Sequence, residues 1–223
     1  MSKTVIFDMD GTLADTSIGI VNCYRYALSE LDLPSPSSDD VLIDLIGGPL
    51  VSNFMRGFGL SEKDAVIATK IYRERYSEIG YSEAKLYPGI KNLLELLKSQ
   101  GYLMGIATLK AERFATEMLK RFGISEYFDS VCGVTDSDIS KGKLIARCLD
   151  ELGIESSDAV YIGDSENDAI GASQNGINFI AVTYGFGFDK NSCYKEYNVV
   201  YISDDVESLM SYFNSKLTFA ESD

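Results

Sequence analysis

Short apolar runs closed by turn or charged residues punctuate the chain: Val5-Ile6-Phe7, residues 103–107, Val160-Tyr161-Ile162, and residues 178–182 and 199–202. Runs of this length without polar alternation mark strands covered on both faces. The first four each lead toward a stretch of helical period. That alternation predicts an α/β fold, a doubly wound, Rossmann-like parallel sheet. Ile90, Leu93, Leu94 and Leu97 share one helical face ahead of Leu103, and Phe114, Met118, Leu119 and Phe122 share one after it. Leu144, Ile145, Cys148 and Leu152 do the same before Val160, with Ala169, Ile170 and Ala172 beyond it;.

Between the first two strands the pattern changes. Ile18, Val21, Tyr24, Leu28 and Leu31 fall on one helical face, with Thr16 or Ser17 as a cap;. Ser38 caps a second helix over 39–46, which Gly47-Gly48 ends, and Pro49 suits the first turn of another;. Ser61 opens a longer helix that turns Ala65, Ala68, Ile71 and Tyr72 to one side, and Tyr87-Pro88-Gly89 marks the way back;. The expected organisation is therefore a Rossmann-like core of residues 1–14 and 86–223 with an inserted α-helical cap domain at 15–85.

Composition narrows the function. The 223 residues hold 20 Lys plus Arg against 34 Asp plus Glu, a net charge of −14 that disfavours nucleic acid and anionic membrane surfaces as partners;. Histidine is absent, which removes Ser-His-Asp and Cys-His nucleophiles and His-ligated zinc;. Proton transfer then falls mainly to carboxylates, Lys, Tyr or Cys. Cys23, Cys132, Cys148 and Cys193 form no CxxC pair and are expected as buried free thiols;. Asp8 interrupts the amino terminus before a signal-peptide apolar region forms, and no apolar stretch approaches membrane-spanning length, so a cytoplasmic location is expected;. A polar tail follows Phe213.

In doubly wound sheets ligands bind beyond the carboxyl ends of the strands. There the first strand gives Asp8-Met9-Asp10-Gly11-Thr12, two carboxylates one residue apart and a glycine that permits a tight loop whose amides can cradle an oxyanion;. The second strand gives Thr108, a phosphate donor or simply a helix cap, followed by Leu109 and by Lys110, which reads as a solvated charge;. Ser140-Lys141-Gly142-Lys143 opens a helix with basic residues where the dipole disfavours them, unless an anion sits in front;. Gly163-Asp164 and Asp168 follow the Val160 strand, as site acids or as turn and cap residues;. Asp8, Asp10 and Asp164 converge on one sheet edge, and such clustering implies a hard divalent cation.

These motifs, in this order, resemble the haloacid dehalogenase-like superfamily, and the insertion with Leu86-Tyr87-Pro88-Gly89 and Val182-Thr183-Tyr184-Gly185-Phe186-Gly187 resembles its phosphoglycolate phosphatase-like branch. The resemblance implies that Asp8 attacks phosphorus and becomes an aspartyl phosphate, while Asp10 protonates the leaving oxygen and later deprotonates water. It implies Mg²⁺ as cofactor, held by the Asp8 and Asp164 side chains and the Asp10 carbonyl, with Asp168 orienting the set. It assigns the phosphoryl oxygens to Thr108 and Lys141, and to a pocket formed by residues Asp8 to Thr12 with Leu109. The register with the following helix favours Lys141 over Lys143. A Lys-Pro-x-Pro third motif is missing, and Leu109 stands where an Asn or Ser is frequent.

The expected activity is Mg²⁺-dependent hydrolysis of a small soluble phosphate monoester: phosphoglycolate, a sugar phosphate or a nucleoside monophosphate. A phosphomutase of the β-phosphoglucomutase type shares the motifs, and a non-catalytic phosphometabolite-binding protein shares the anion pocket; retention of both Asp8 and Asp10 speaks against the latter. A dehalogenase needs no second Asp, because a halide leaves without a proton. Within the cap, Gly47 and Gly48 are candidates to bring amides to substrate, and Arg25 and Arg56 to anchor a substrate carboxylate;.

Overall fold

A computed structural model describes residues 4–135, 140–189 and 191–218. Met1, Ser2 and Lys3, and the last five residues of the polar tail, lie outside the described residues. The chain divides into two compact units, Met1–Ala14 with Leu86–Asp223, and Asp15–Lys85. In chain order the elements begin β1 (Thr4–Phe7), β2 (Ala14–Asp15), α1 (Ser17–Glu30), α2 (Asp40–Ile43), α3 (Leu50–Phe58), α4 (Glu62–Glu78) and β3 (Lys85–Leu86). They continue α5 (Ile90–Ser99), β4 (Leu103–Ala111), α6 (Glu112–Phe122), β5 (Ser130–Val134), α7 (Lys141–Leu152), β6 (Ala159–Gly163) and α8 (Glu166–Gln174). β7 (Asn178–Val182), β8 (Val199–Ser203) and α9 (Val206–Thr218) complete the series.

The larger unit is built on a six-stranded sheet in the order β5-β4-β1-β6-β7-β8, and every pairing is parallel. β1 is central and all four of its residues are buried, which accounts for its unbroken apolar run;. Phe7 stands opposite Ile106 on one side and Ile162 on the other. This register brings the residues just beyond Phe7, Ile106 and Ile162 to the same end of the sheet. Ile6, Tyr161, Phe179, Leu144, Ile145 and Cys148 belong to one buried cluster under α7 and α8, in which each Leu, Ile or Phe contributes about 1.5–3 kcal/mol of burial;.

Several elements depart from the sequence reading. β5 was not expected, because Ser130, Cys132 and Gly133 dilute its apolar signal, and it stands at the sheet edge, where a continuous apolar run is not required;. β4 continues past Ala107 to Ala111. Its register against β5 slips there: Ala107 pairs with Cys132 but Ala111 with Val134, so two extra residues bulge out of β4;. α2 is a single turn at Asp40–Ile43 rather than a helix to residue 46. Ile18 and Ile170 are exposed instead of core-facing, and Cys193, alone of the four free thiols, is exposed.

The smaller unit is helical and held by aromatic packing. Tyr24 lies 5.2 Å from Phe54 and 5.0 Å from Tyr72 between ring centroids, and Asn53 Nδ2 donates to the buried Tyr24 hydroxyl at 3.0 Å;. Arg75 meets Glu83 with a bidentate pair at 2.9 and 3.0 Å. Ser61 caps α4 by accepting the Asp64 amide, as its sequence suggests;. Among the described residues, no helix is long and apolar enough to cross a membrane.

Candidate active site

Asp8 is the first residue beyond β1, anchored by its amide to the Ile162 carbonyl at 2.9 Å. Lys141 opens α7, where Ser140 caps the helix. Its ammonium lies 2.7 Å from Asp8 Oδ1 and 2.8 Å from Asp168 Oδ1, and also donates to the Ala107 carbonyl at 3.3 Å. All three side chains are buried. Lys143 is exposed, so helix register alone separates the two lysines. Below them the Tyr161 hydroxyl donates to Ala107 O at 2.6 Å and to Asp168 Oδ1 at 3.2 Å. The other oxygen of Asp168 accepts the amide and hydroxyl of Ser165 at 3.0 and 2.6 Å, forming a capping box at the start of α8;.

Asp164, just past β6, is gripped from a loop that follows β7. The amides of Phe186 and Gly187 donate to its Oδ2 at 2.7 and 3.2 Å, and its carbonyl accepts the Phe188 amide at 2.6 Å. Among the described residues its Oδ1 accepts only the long 3.4 Å bond from the Thr12 hydroxyl. Gly11 lies against this carboxylate: with φ at +79°, a side chain there would be strained, and its Cβ would fall on the Asp164 oxygens;. The Tyr184 hydroxyl donates to Thr12 O at 3.0 Å and ties the two loops together.

The loop amides are distributed differently from the sequence expectation. Gly11 N donates to Ala14 O at 2.9 Å and Thr12 N to Met9 O at 3.4 Å, so both close the turn. Among the described residues the amides of Met9 and Asp10 donate to nothing, and the Asp10 carbonyl accepts no amide. Thr108 is buried, and its oxygen accepts the Lys110 amide at 3.2 Å, which leaves the hydroxyl proton to donate elsewhere. Leu109 packs against the buried cluster, which explains an apolar residue at that position. Lys110 is not a solvated charge: it is buried, with Nζ 3.0 Å from Asp10 Oδ1, an ion pair whose angle falls short of a hydrogen bond.

Burial is the dominant electrostatic fact. It pushes Asp8 up to about 6, against the opposing pull of Lys141;. Burial, then the proximity of Asp168 and Asp8, drives Asp164 well above the usual carboxylate range. Burial works against the charge of Lys141, yet Asp168 and Asp8 raise its affinity for the proton. One oxygen from each of Asp8, Asp164 and Asp168 lies within 4.8 Å of the others. A single ammonium cannot balance three such acids. Among the described residues the atoms left open are Asp8 Oδ2, Asp164 Oδ1 apart from its long Thr12 bond, and the Asp10 carbonyl. They are all oxygens, the donors a hard divalent cation takes. Both Asp168 oxygens are already engaged, which suits orienting Lys141.

The other candidates lie in the helical unit. The Arg25 guanidinium binds Asp39, Ser35 Oγ and Pro36 O, fastening the segment between α1 and α2. Arg56 makes a long 3.4 Å contact with Asn53 Oδ1. Gly47 has φ of +85°, and the Gly48 carbonyl accepts from Asn53 Nδ2 at 3.3 Å. The sequence reading gave no site role to Lys110, Tyr161, Ser165, Phe186 and Gly187. Only the pair of glycines around Phe186 gave a signal, since close backbone approach is what glycine permits.

Residues 5–182 match the haloacid dehalogenase-like hydrolase family. The chain is 36% identical over 185 residues, 82% of its length and 83% of the relative's, to a protein of Pseudomonas aeruginosa named 5'-nucleotidase. It is 37% identical over 190 residues to the tyrosine-protein kinase PtkA of Mycobacterium tuberculosis, covering 83% of this chain and spanning 63% of that longer protein. A phosphoglycolate phosphatase of Haemophilus influenzae is 29% identical over 220 residues, 94% and 97% of the two chains. Among solved structures, a haloacid dehalogenase-like hydrolase from Streptococcus pneumoniae superposes with a TM-score of 0.87 at 35% identity, covering 95% of this chain and 98% of that one.

Proposed function

Because the chain belongs to the haloacid dehalogenase-like hydrolase family, we propose that it is a Mg²⁺-dependent phosphatase that hydrolyses a small phosphate monoester through an aspartyl phosphate on Asp8. The observation that carries this reading is the contact of Lys141 with both Asp8 and Asp168, beside a second carboxylate at Asp10. A purely anion-binding pocket has no use for a buried carboxylate facing its own lysine.

One oxygen of the Asp8 carboxylate is the nucleophile. Its bond to phosphorus forms as the ester oxygen departs, and Asp10 gives that oxygen a proton. Asp10, now a carboxylate, takes a proton from water, whose oxygen attacks phosphorus and breaks the bond to Asp8. Alcohol and inorganic phosphate leave, and both acids return to their starting states. Lys141, the Thr108 hydroxyl and the amides of Met9 and Asp10 hold the phosphoryl oxygens, with donors fixed before the reaction starts. Mg²⁺, held by Asp8, Asp164 and the Asp10 carbonyl, would supply positive charge against the phosphoryl oxygens.

Relatives named for a nucleotidase and for phosphoglycolate phosphatase support a small phosphorylated metabolite as substrate. The test is a phosphate-release screen over phosphorylated metabolites with Mg²⁺, with and without chelator. Release from at least one compound that stops on chelation is expected. Release from none, or release indifferent to chelation, overturns the reading.

A further inference from the structure

We infer that Lys110 is a positioning residue for proton transfer: by pinning Asp10 Oδ1 it fixes the rotation of that carboxyl and leaves Oδ2 as the oxygen that carries the proton. The inference rests on the phosphatase reading above and assigns work to a residue that reading leaves idle.

Three observations carry it. The Lys110 side chain is 5% exposed, while that of Asp10 is 21% exposed, so the pair faces solvent only on the acid's side. Burying an ammonium costs several kcal/mol unless partners compensate, and the Asp10 carboxylate is one of those against which the buried Lys110 is held;. Second, the bulge in β4 contributes two extra residues exactly across this stretch, between Ala107 and Ala111. Bulges re-aim side chains, and this one is fastened by the Lys110 amide on Thr108 Oγ1 at 3.2 Å;. The same local irregularity therefore sets both the Thr108 hydroxyl and the Lys110 ammonium. Third, among the described residues the buried Asp10 Oδ1 accepts no hydrogen bond, with Lys110 3.0 Å away. A proton on a carboxyl sits on the oxygen remote from a cation, so Oδ2 becomes the donor. In the first step that proton passes to the ester oxygen as its bond to phosphorus breaks; in the second, Oδ2 takes a proton from water.

Leaving groups separate this role from simple phosphate binding. An alkoxide needs a proton as it departs, whereas a dinitrophenolate does not. In Lys110→Met, kcat/KM on an alkyl phosphate should fall about 10–100-fold, while kcat/KM on dinitrophenyl phosphate changes by less than about threefold. On the aryl ester kcat and KM should fall together, since Asp10 still draws the proton from water after the leaving group has gone. Lys110→Arg, which keeps the charge, should recover part of the alkyl activity. Far-UV circular dichroism and the thermal shift with Mg²⁺ check that each variant is folded, and the arginine variant alone suffices should methionine not fold. Equal losses of kcat/KM on both esters, or no loss on the alkyl ester, overturn the proposal. Wild-type protein inert toward every ester overturns the phosphatase reading itself, before any variant is made.

Discussion

Lys141 Nζ lies 2.7 Å from Asp8 Oδ1, joining residues 133 positions apart in the chain. The contact favours the ionised form of the proposed nucleophile against the effect of burial and orients it, and Asp168 on the other side of the ammonium keeps Lys141 from swinging away. Replacing Lys141 by Met should lower turnover about 10²–10³-fold, and should destabilise the metal-free protein by about 3–5 kcal/mol, because buried carboxylates lose their cation. Lys143→Met should leave both nearly unchanged. Steady-state kinetics and urea unfolding of the two variants read this directly.

Protons and Mg²⁺ should compete for Asp8. Burial raises its folded pKa to about 6 from an ordinary 3.8, so the metal-free protein binds the extra proton between those values. The stability this contributes is present below the unfolded value and is lost as pH rises through about 6, a change on the order of 1–3 kcal/mol. The stabilisation by Mg²⁺ should run the other way, growing as pH rises through about 6 and as Asp164, whose carboxyl is also shifted up, gives up its proton;. Thermal melts across this range with and without Mg²⁺ test the crossing; a Mg²⁺ shift that shrinks as pH rises contradicts it.

Gly11→Ala should abolish the Mg²⁺-induced thermal shift. The substitution adds about 1–2 kcal/mol of left-handed strain and drives a methyl group onto the Asp164 carboxylate;. Gly101→Ala, also at positive φ but with open space around its Cβ, should carry the strain without losing the Mg²⁺ response.

In the helical unit, the hydrogen bonds from Arg75 hold the Glu83 carboxyl below its ordinary range. Such a depressed acid contributes stability above its unfolded pKa that is lost as pH falls through the lower folded value. Arg75→Leu should cost about 1–3 kcal/mol at neutral pH and reduce the dependence of unfolding on pH in the acidic range.

Much of the arrangement was readable before any coordinates, for a definite reason. Asp8 and Asp164 follow apolar strands and Thr108 follows the apolar run 103–107 of another, and a parallel sheet sends all such ends to one edge;. Side chains whose role depends on a local irregularity were not readable. Lys110 looks like any charged residue after a strand until the β4 bulge turns it inward. Tyr161 reads as one more core residue, and only the folded sheet shows its hydroxyl beneath Asp168. The grip of Phe186 and Gly187 on Asp164 is made by main chain, and its one trace in the sequence is the pair of glycines around Phe186. Ser130–Val134 escaped because an edge strand needs little apolar content.

The central claim is that phosphorus is captured by Asp8, and rapid acid quenching during turnover tests it most directly. With a hydrolysed ester and Mg²⁺, mass spectrometry of the digested protein should place a phosphoryl group on the peptide containing Asp8, absent on chelation and absent in Asp8→Asn. Turnover that continues in Asp8→Asn, or a phosphoryl group trapped on any other residue, would contradict the account.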